Sequence, residues 1–191
     1  YMHFFTADEH YGHKNIIEYC KRPFKTADEM DEALIKQHNE VVGPDDTVIH
    51  VGDFCMKKNR RLVESAYIKR LNGTHVFLRG SHDYWLNKDP AEIDTGPVRE
   101  IWEGFVHARG EAFYVVACHY PMISWPRAYH GSWQLFGHVH GELDSRLLFG
   151  KQLDVGVDTN NFYPYSMDQL IAAMKKRPDN HEGRNRHLKR L

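Results

Sequence analysis

Short apolar runs recur along this chain, and most of them stop at Gly, Asp or His. Several runs are rich in β-branched and aromatic residues, which is typical of buried strands. Each run is also too short to be a helix of ordinary length. The pattern therefore predicts strands over residues 2–7, 47–51, 75–78, 113–118, 134–136 and 153–157.

Apolar residues spaced three and four positions apart predict three helices. The first is opened by a capping box, in which Thr26 is the N-cap and Glu29 reaches back to it, and it is ended by Gly43. The second covers residues 62–71, and the third begins at Ser166. The residues expected to face inward on the first helix are Met30, Leu34, His38 and Val41. Strands alternate with helices early and follow one another later, so we expect a layered α/β fold with mixed sheets covered by helices.

Length and composition fit one ordinary globular domain. The chain has 191 residues, of which 41% are hydrophobic, and a formal net charge of −1. Its three cysteines are too widely spaced for a disulfide framework, and no apolar run approaches membrane-spanning length, so we expect a cytoplasmic protein without membrane contacts. We assign residues 1–175 to a single domain and residues 176–191 to a basic, flexible tail; the oligomeric state stays open.

Side chains that bind metals follow the ends of five of the predicted strands. They are Asp8, His10, Asp53, His119, His138 and His140, with Ser81, His82 and Asp83 beside them. Because ligands gather at the carboxyl ends of strands in open α/β sheets, these residues can meet at one site. Nitrogen and oxygen donors without a thiolate suit Mn, Fe, Zn or Ni, and the set is too large for one tetrahedral zinc.

Taken singly, these patterns are weak evidence. A lone D-x-H or G-D is more often a surface feature or a turn than a metal site. The G-H-x-H pattern at residues 137–140 is more informative, because core packing rarely explains alternate histidines on one strand. All five patterns, in this order and each at the end of a strand, argue for a shared functional site and against five separate structural features.

The ordered set resembles the calcineurin-like metallophosphoesterases, whose pattern is D-x-H, G-D, G-N-H-[DE], a lone His and G-H-x-H. Here the corresponding stretches are DEH (8–10), GDF (52–54), GSHD (80–83), CHYP (118–121) and GHVH (137–140). The stretches HYGHKNI, RPF and HYPMISW further resemble a small bacterial and phage branch of that family. The resemblance implies a four-layer αββα sandwich, in which two mixed β-sheets pack together with helices outside.

The resemblance also implies a two-metal phosphodiesterase or phosphatase, a hydrolase. Asp8, His10 and His140 would bind one ion, His119, His138 and residue 81 the other, and Asp53 both. We expect Mn²⁺ at both positions, with Fe, Zn or Ni as alternatives. Hydroxide formed at the ions would attack phosphorus, His82 would stabilise the transition state or protonate the leaving group, and Asp83 would hold the His82 ring. Arg79 and His13 are candidates for phosphate contact or for supporting the ligands, and a surface arginine and a histidine at a helix start explain them equally well.

Residue 81 departs from the family pattern, because Ser81 stands where the family has Asn. A carbonyl oxygen reaches further than a hydroxyl and is the better neutral ligand, so we expect a weakened second metal site. An engineered exchange and natural drift both explain the serine. A single-metal enzyme and a non-catalytic binding scaffold on the same fold are the alternatives to a two-metal enzyme.

Two stretches bear on the substrate. The basic run 57–61 can follow a polyanion or can be an ordinary solvated helix start. The aromatic residues between 125 and 133 can stack a nucleobase or can pack over the sheet. Together they favour a phosphodiester, nucleotide or nucleic-acid substrate over other phosphate esters.

Overall fold

A computed structural model describes residues 1–86 and 99–180 of the protein. The strands are β1 (His3–Thr6), β2 (Thr47–His50), β3 (Thr74–Phe77), β4 (Ile101–Ala108), β5 (Glu111–Cys118), β6 (Trp133–Phe136), β7 (Gln152–Asp154) and β8 (Tyr165–Ser166). The helices are α1 (Lys14–Tyr19), α2 (Ala27–Val41), α3 (Arg60–Ala66) and α4 (Met167–Lys176). Within the described ranges, we find no helix with the length and apolar character needed to cross a membrane.

The strands form two mixed four-stranded sheets. The first has the order β3-β2-β1-β8, in which the first three strands are parallel and β8 is antiparallel to β1. The second has the order β4-β5-β6-β7, in which only the β4–β5 pair is antiparallel. The expectation of an α/β fold with two mixed sheets and helices is confirmed.

The main core lies between the two sheets. Alternate residues of β1 and β2, such as Phe5 and Ile49, pack in one cluster with Val115 and Leu135 of the second sheet. Helix α4 contacts one strand from each sheet and adds its apolar face, including Leu170, to this cluster. A second cluster joins the inner faces of α1, α2 and α3 to the residues that follow β2.

All six predicted strands are present, with ends shifted by a few residues. Helix α2 begins as expected, because Thr26 Oγ1 accepts the Glu29 N–H. The predicted bond from the Glu29 side chain back to Thr26 is wrong, however, because the Glu29 carboxylate accepts the N–H of Lys25 instead. Val41 was expected to face inward but is exposed. The second predicted helix, expected over residues 62–71, corresponds to α3, which ends at Ala66 and is followed by a 3-10 turn at Ile68–Arg70.

The beginning of the predicted tail packs against the second sheet. Asn180 is buried, donates to the carbonyls of Ala128 and Ser132, and accepts the Lys151 N–H. Residues 176–180 are therefore attached to the domain by specific hydrogen bonds. The rest of the predicted tail, residues 181–191, lies outside the described residues.

Buried His38 makes the stability of the fold depend on pH. Burial lowers its pKa from 6.5 to about 3, and its Nε2 donates to the Asn72 carbonyl. Below about pH 6.5 the unfolded state binds a proton that the folded state does not, so stability is lost as the pH falls. At about pH 5 the loss from this residue is about 2 kcal/mol.

Urea unfolding at neutral pH and at pH 5 tests this expectation. The His38→Gln variant keeps an N–H for the Asn72 carbonyl and removes the titrating ring, so it should lose less free energy of unfolding between the two pH values. Replacement of the exposed His130 by Gln is the matched control and should keep the wild-type difference. An equal loss in His38→Gln and wild type would contradict the assignment.

Candidate metal centre

The candidate residues follow the carboxyl ends of strands from both sheets. Parallel strands β1, β2 and β3 lead to Asp8, Asp53 and Ser81, and parallel strands β5 and β6 lead to His119 and His138. Because parallel strands end at the same edge, each sheet presents its polar loops together. The two edges meet, since His138 N donates to the Asp8 carboxylate at 2.9 Å.

The backbone at these loops is unusual. Asp8, His10, Asp53, His138 and His140 all have positive φ, between 49° and 72°. Residues other than glycine seldom adopt this left-handed conformation, and such strain persists where the surrounding structure fixes it. Its concentration in the candidate ligands indicates that the loops are held in shape for a site.

Neighbouring glycines allow the loops to approach one another closely. A Cβ at Gly137 would lie 2.7 Å from Asp8 Oδ2, and a Cβ at Gly80 would overlap the Asp53 carboxylate. Both glycines belong to the patterns noted in the sequence. Their absent side chains are a steric requirement of the site, because the carboxylates occupy the space that a Cβ would need.

The candidate ligands form two groups. Asp8, His10 and His140 make the first, and Asp53, His119 and His138 make the second; within each group the donor atoms lie within 4.8 Å of one another. Four of these side chains are buried, while His140 is partly exposed and His138 is exposed. Each group therefore has buried donors and one side open to solvent.

Asp53 lies between the two groups. Its Oδ2 is 3.7 Å from His10 Nε2 and 3.3 Å from His119 Nε2. Both nitrogens are buried, and neither has a hydrogen-bond partner among the residues that the structure describes. Burying a polar nitrogen without a partner costs free energy, so a partner other than a protein group, such as a metal ion, is expected at these two atoms. Two cations that share the Asp53 carboxylate would satisfy both, and the residues present fit such a pair.

Burial and mutual charge set the ionisation of the donors. Burial raises the pKa of Asp8 to about 7 and lowers the pKa of His10 well below its usual range. Burial also acts to raise the pKa of Asp53, but nearby His119 and His10 outweigh it and hold that pKa low. The pKa of His119 is raised overall, because burial lowers it but the nearby Asp53 carboxylate raises it by more. Metal binding at these donors would depend on pH, because a cation competes with protons for the same imidazoles and carboxylates.

Two ligand rings are oriented by hydrogen bonds at their other nitrogen. His119 Nδ1 donates to the Val51 carbonyl at 2.9 Å, and His140 Nδ1 lies 2.8 Å from Asp158 Oδ2. Asp158 is held in turn by Arg22, whose Nε and Nη2 both donate at 2.8 Å. These bonds leave the Nε2 atoms for a metal, as in many metal sites.

Sequence reasoning missed both Arg22 and Asp158 as site residues. Arg22 is buried and also donates to the carbonyls of Asp8 and Glu9, so it ties the segment after α1 to the loop after β1. Asp158 follows the last predicted strand, as the predicted ligands follow theirs. That position was the available signal for Asp158, whereas the signal for Arg22 was its place in the RPF stretch that resembles the bacterial and phage branch.

Replacing Asp158 by Asn should weaken metal binding at the first group. Asn offers one carbonyl in place of a charged acceptor, so the His140 ring loses its orientation and basicity, and the affinity should fall about 10–100-fold. Calorimetric titration of chelator-treated protein with Mn²⁺ measures this loss. Replacement of the exposed Asp168 by Asn is the control. Unchanged affinity in Asp158→Asn would show that the bond does not support the ligand.

The loop after β3 places the remaining predicted residues differently. Ser81 Oγ donates to Asp53 Oδ2 at 3.0 Å, so the hydroxyl lies at the shared carboxylate. His82 donates its backbone N–H to Asp53, and its ring lies 5.5 Å from the His10 ring, centroid to centroid. The expected contact between Asp83 and the His82 ring is replaced by other bonds. Asp83 is buried and accepts from Trp85 Nε1 and from the backbone N–H groups of Asp53, Phe54, Cys55 and Gly80.

The two predicted phosphate contacts lie on different sides of the site. His13 Nδ1 is 3.4 Å from His10 Nδ1, which places it against the first group. Arg79 lines a cleft of about 320 Å³ beside the second group, together with Ser81, His119 and Tyr120. Arg79 is therefore positioned to meet a ligand in that cleft, and His13 to support the His10 ring.

The stretches considered as substrate contacts are partly structural. Lys57 Nζ lies over the Tyr67 ring and Arg60 pairs with Glu64, so much of the basic run belongs to the start of α3. Trp125 and Trp133 are buried in apolar clusters, and Trp133 belongs to β6 itself. Lys58 is exposed, and its Nζ lies 5.6 Å from the centroid of the Tyr84 ring.

Fold and site together define an α/β protein of two mixed sheets, with paired groups of metal-type side chains at the strand ends. No family model matches the chain. The uncharacterized protein MJ1445 of Methanocaldococcus jannaschii is 32% identical over 174 residues, which cover 89% of each protein. The chain belongs to the same family as MJ1445.

Two further proteins are similar at lower identity. The gene 66 protein of Mycobacterium phage L5 is 26% identical over 181 residues, covering 81% of this chain and 85% of that protein. The crystal structure of AQ665 from Aquifex aeolicus, a protein of unknown function, superimposes with a TM-score of 0.60 at 22% identity, covering 90% of this chain and 98% of that one. The AQ665 structure supports the fold and carries no information on activity.

Proposed function

We propose that this protein is a phosphoesterase that depends on two divalent metal ions and hydrolyses a phosphodiester or a phosphomonoester. The observation that supports this most is the position of Asp53 Oδ2, which lies between the orphaned Nε2 atoms of His10 and His119. Each nitrogen belongs to a separate group of three donors. The order of these donors along the chain, and their placement after strands of two mixed sheets, support a metallophosphoesterase-like sandwich.

We expect Mn²⁺ at the site, with Fe, Zn or Ni as alternatives, because the donors are imidazoles and carboxylates without a thiolate in either group. When bound, two such ions polarise the phosphoryl oxygens of an ester and make a water molecule acidic enough to react at neutral pH. The protein supplies the geometry for this chemistry through Asp53, which fixes the two groups relative to each other.

The remaining residues would act on the substrate from the open side of the site. The His82 ring is partly exposed next to His10 and can donate a proton to the leaving oxygen. Arg79 and Tyr120 line the cleft beside the second group, where a guanidinium can bind a phosphate oxygen and an aromatic ring can contact the group that it esterifies. Such a cleft favours a diester with a planar substituent, as in a nucleotide or nucleic acid.

Chelator-treated protein assayed with bis-(p-nitrophenyl) phosphate and p-nitrophenyl phosphate tests the proposal. We expect no hydrolysis before Mn²⁺ is added and hydrolysis afterwards, with the preferred substrate identifying a diesterase or a monoesterase. Absence of both activities with Mn²⁺, in the protein as it stands and in Ser81→Asn, would overturn the proposal. The binding scaffold would then account for the same fold and side chains.

A further inference from the structure

Cys20 lies beside the first ligand group without belonging to it. Its Sγ, a His140 nitrogen and an Asp158 carboxylate oxygen lie within 4.8 Å of one another. All three side chains are partly exposed, so an ion can reach them from solvent. A thiol, an imidazole and a carboxylate form a mixed donor set that suits thiophilic ions and differs from the two nitrogen–oxygen groups.

The charges around Cys20 favour a cation. Burial raises the pKa of the thiol to about 11, and the carboxylates of Asp158, Asp8 and Glu142 add to the effect while Arg22 opposes it. The free thiol is therefore protonated and unreactive at neutral pH. A coordinated divalent ion reverses this situation, because it deprotonates the thiol outright.

Asp158 retains a free acceptor position. Among the described residues, its Oδ1 accepts from Arg22 Nε, while Oδ2 accepts from Arg22 Nη2 and lies against His140 Nδ1. A carboxylate oxygen has two lone pairs, so Oδ1 can bind an ion without losing its bond to Arg22. The arginine thus holds the carboxylate in place and leaves a donor for a metal.

We propose that Cys20, His140 and Asp158 bind a thiophilic divalent ion such as Zn²⁺ or Cd²⁺. On binding, the S–H bond of Cys20 breaks, the proton passes to solvent and a sulfur–metal bond forms. His140 also belongs to the group with Asp8 and His10, so an ion at Cys20 competes with that group for the same imidazole. This proposal does not depend on phosphoesterase activity, because it concerns metal binding alone.

Titration of the chelator-treated full chain with Cd²⁺ tests the site through the ultraviolet charge-transfer band of a cadmium thiolate. We expect the band in the wild type and its loss in Cys20→Ser, with a fall in Cd²⁺ affinity of at least about tenfold. Cys55→Ser is the matched control, because the buried Cys55 thiol donates to the Tyr11 carbonyl and belongs to none of the three donor groups, and it should keep the band. A band that persists in Cys20→Ser, or no band in any form, would overturn the proposal.

Alkylation of the wild type gives a second measurement that needs no variant. Each cysteine is labelled with iodoacetamide at alkaline pH, and mass spectrometry measures the labelling rate. The rate at Cys20 should fall by at least about tenfold when Cd²⁺ is present, because the bound sulfur is no longer a free nucleophile. Mn²⁺ should protect Cys20 much less, since it prefers oxygen and nitrogen donors. Equal labelling of Cys20 with and without Cd²⁺ would show that the thiol does not bind the ion.

Discussion

Replacing Asp53 by Asn is expected to reduce the Mn²⁺-dependent phosphoesterase rate by at least about a thousandfold, because a metal ion contributes several kcal/mol of transition-state stabilisation. Asn keeps a carbonyl that can accept the His82 N–H, which Asp53 Oδ1 accepts at 2.8 Å. It removes the charged oxygen that lies between His10 and His119. The variant should therefore fold, yet bind one ion or none in place of two.

Steady-state rates and metal analysis of the same preparation measure both effects. The control is Asp45→Asn, which removes an exposed carboxylate from the turn before β2 and should leave rate and metal content unchanged. If Asp53→Asn retained both ions and the wild-type rate, Asp53 would not be the shared ligand, and the pairing of the two groups through it would be wrong.

The second large effect is expected in the opposite direction, from Ser81→Asn. The Ser81 hydroxyl donates to Asp53 and lies on the exposed side of the second group, where a longer side chain has room. An amide carbonyl at this position can add a ligand to the ion held by Asp53, His119 and His138. We expect Mn²⁺ affinity at that group and the hydrolytic rate to rise about 10–100-fold.

Ser81→Ala separates a gained ligand from a removed hydroxyl. It deletes the hydrogen bond to Asp53 without offering a carbonyl, so it should not share the gain of the Asn variant. Rates measured over a range of Mn²⁺ concentrations distinguish tighter binding from faster turnover at saturation. Equal rates and two bound ions in the wild type and in Ser81→Asn would mean that water replaces the missing carbonyl, and that the serine is not a weakness.

The sequence predicted most of the scaffold because its buried strands are continuous apolar runs. Strand β4 lacks such a run: Ile101, Phe105 and His107 are exposed, and Gly104 interrupts it, so an edge strand here has no clear pattern. Helix α1, at six residues, is too short to show a helical period. These elements form through tertiary pairing and packing, which a local pattern does not contain.

The candidate ligands could be predicted because each follows a strand, while their supports could not. Arg22 and Asp158 are 136 positions apart, and only the folded chain brings them together at His140. Asp83 shows the same limit. A carboxylate next to a histidine in sequence suggests a contact between the two, but Asp83 is buried and accepts backbone N–H groups from Gly80 and from the loop after β2. Neighbouring positions in sequence do not determine where side chains point.

Under the proposed function, this protein is a phosphoesterase because two ions share the Asp53 carboxylate. A Mn²⁺ titration of the chelator-treated protein, following bound metal per chain and hydrolysis of bis-(p-nitrophenyl) phosphate together, tests it most directly. We expect the rate to rise as the second ion binds and to level off when both groups are filled. Full activity with a single bound ion, or two bound ions without any hydrolysis, would contradict it.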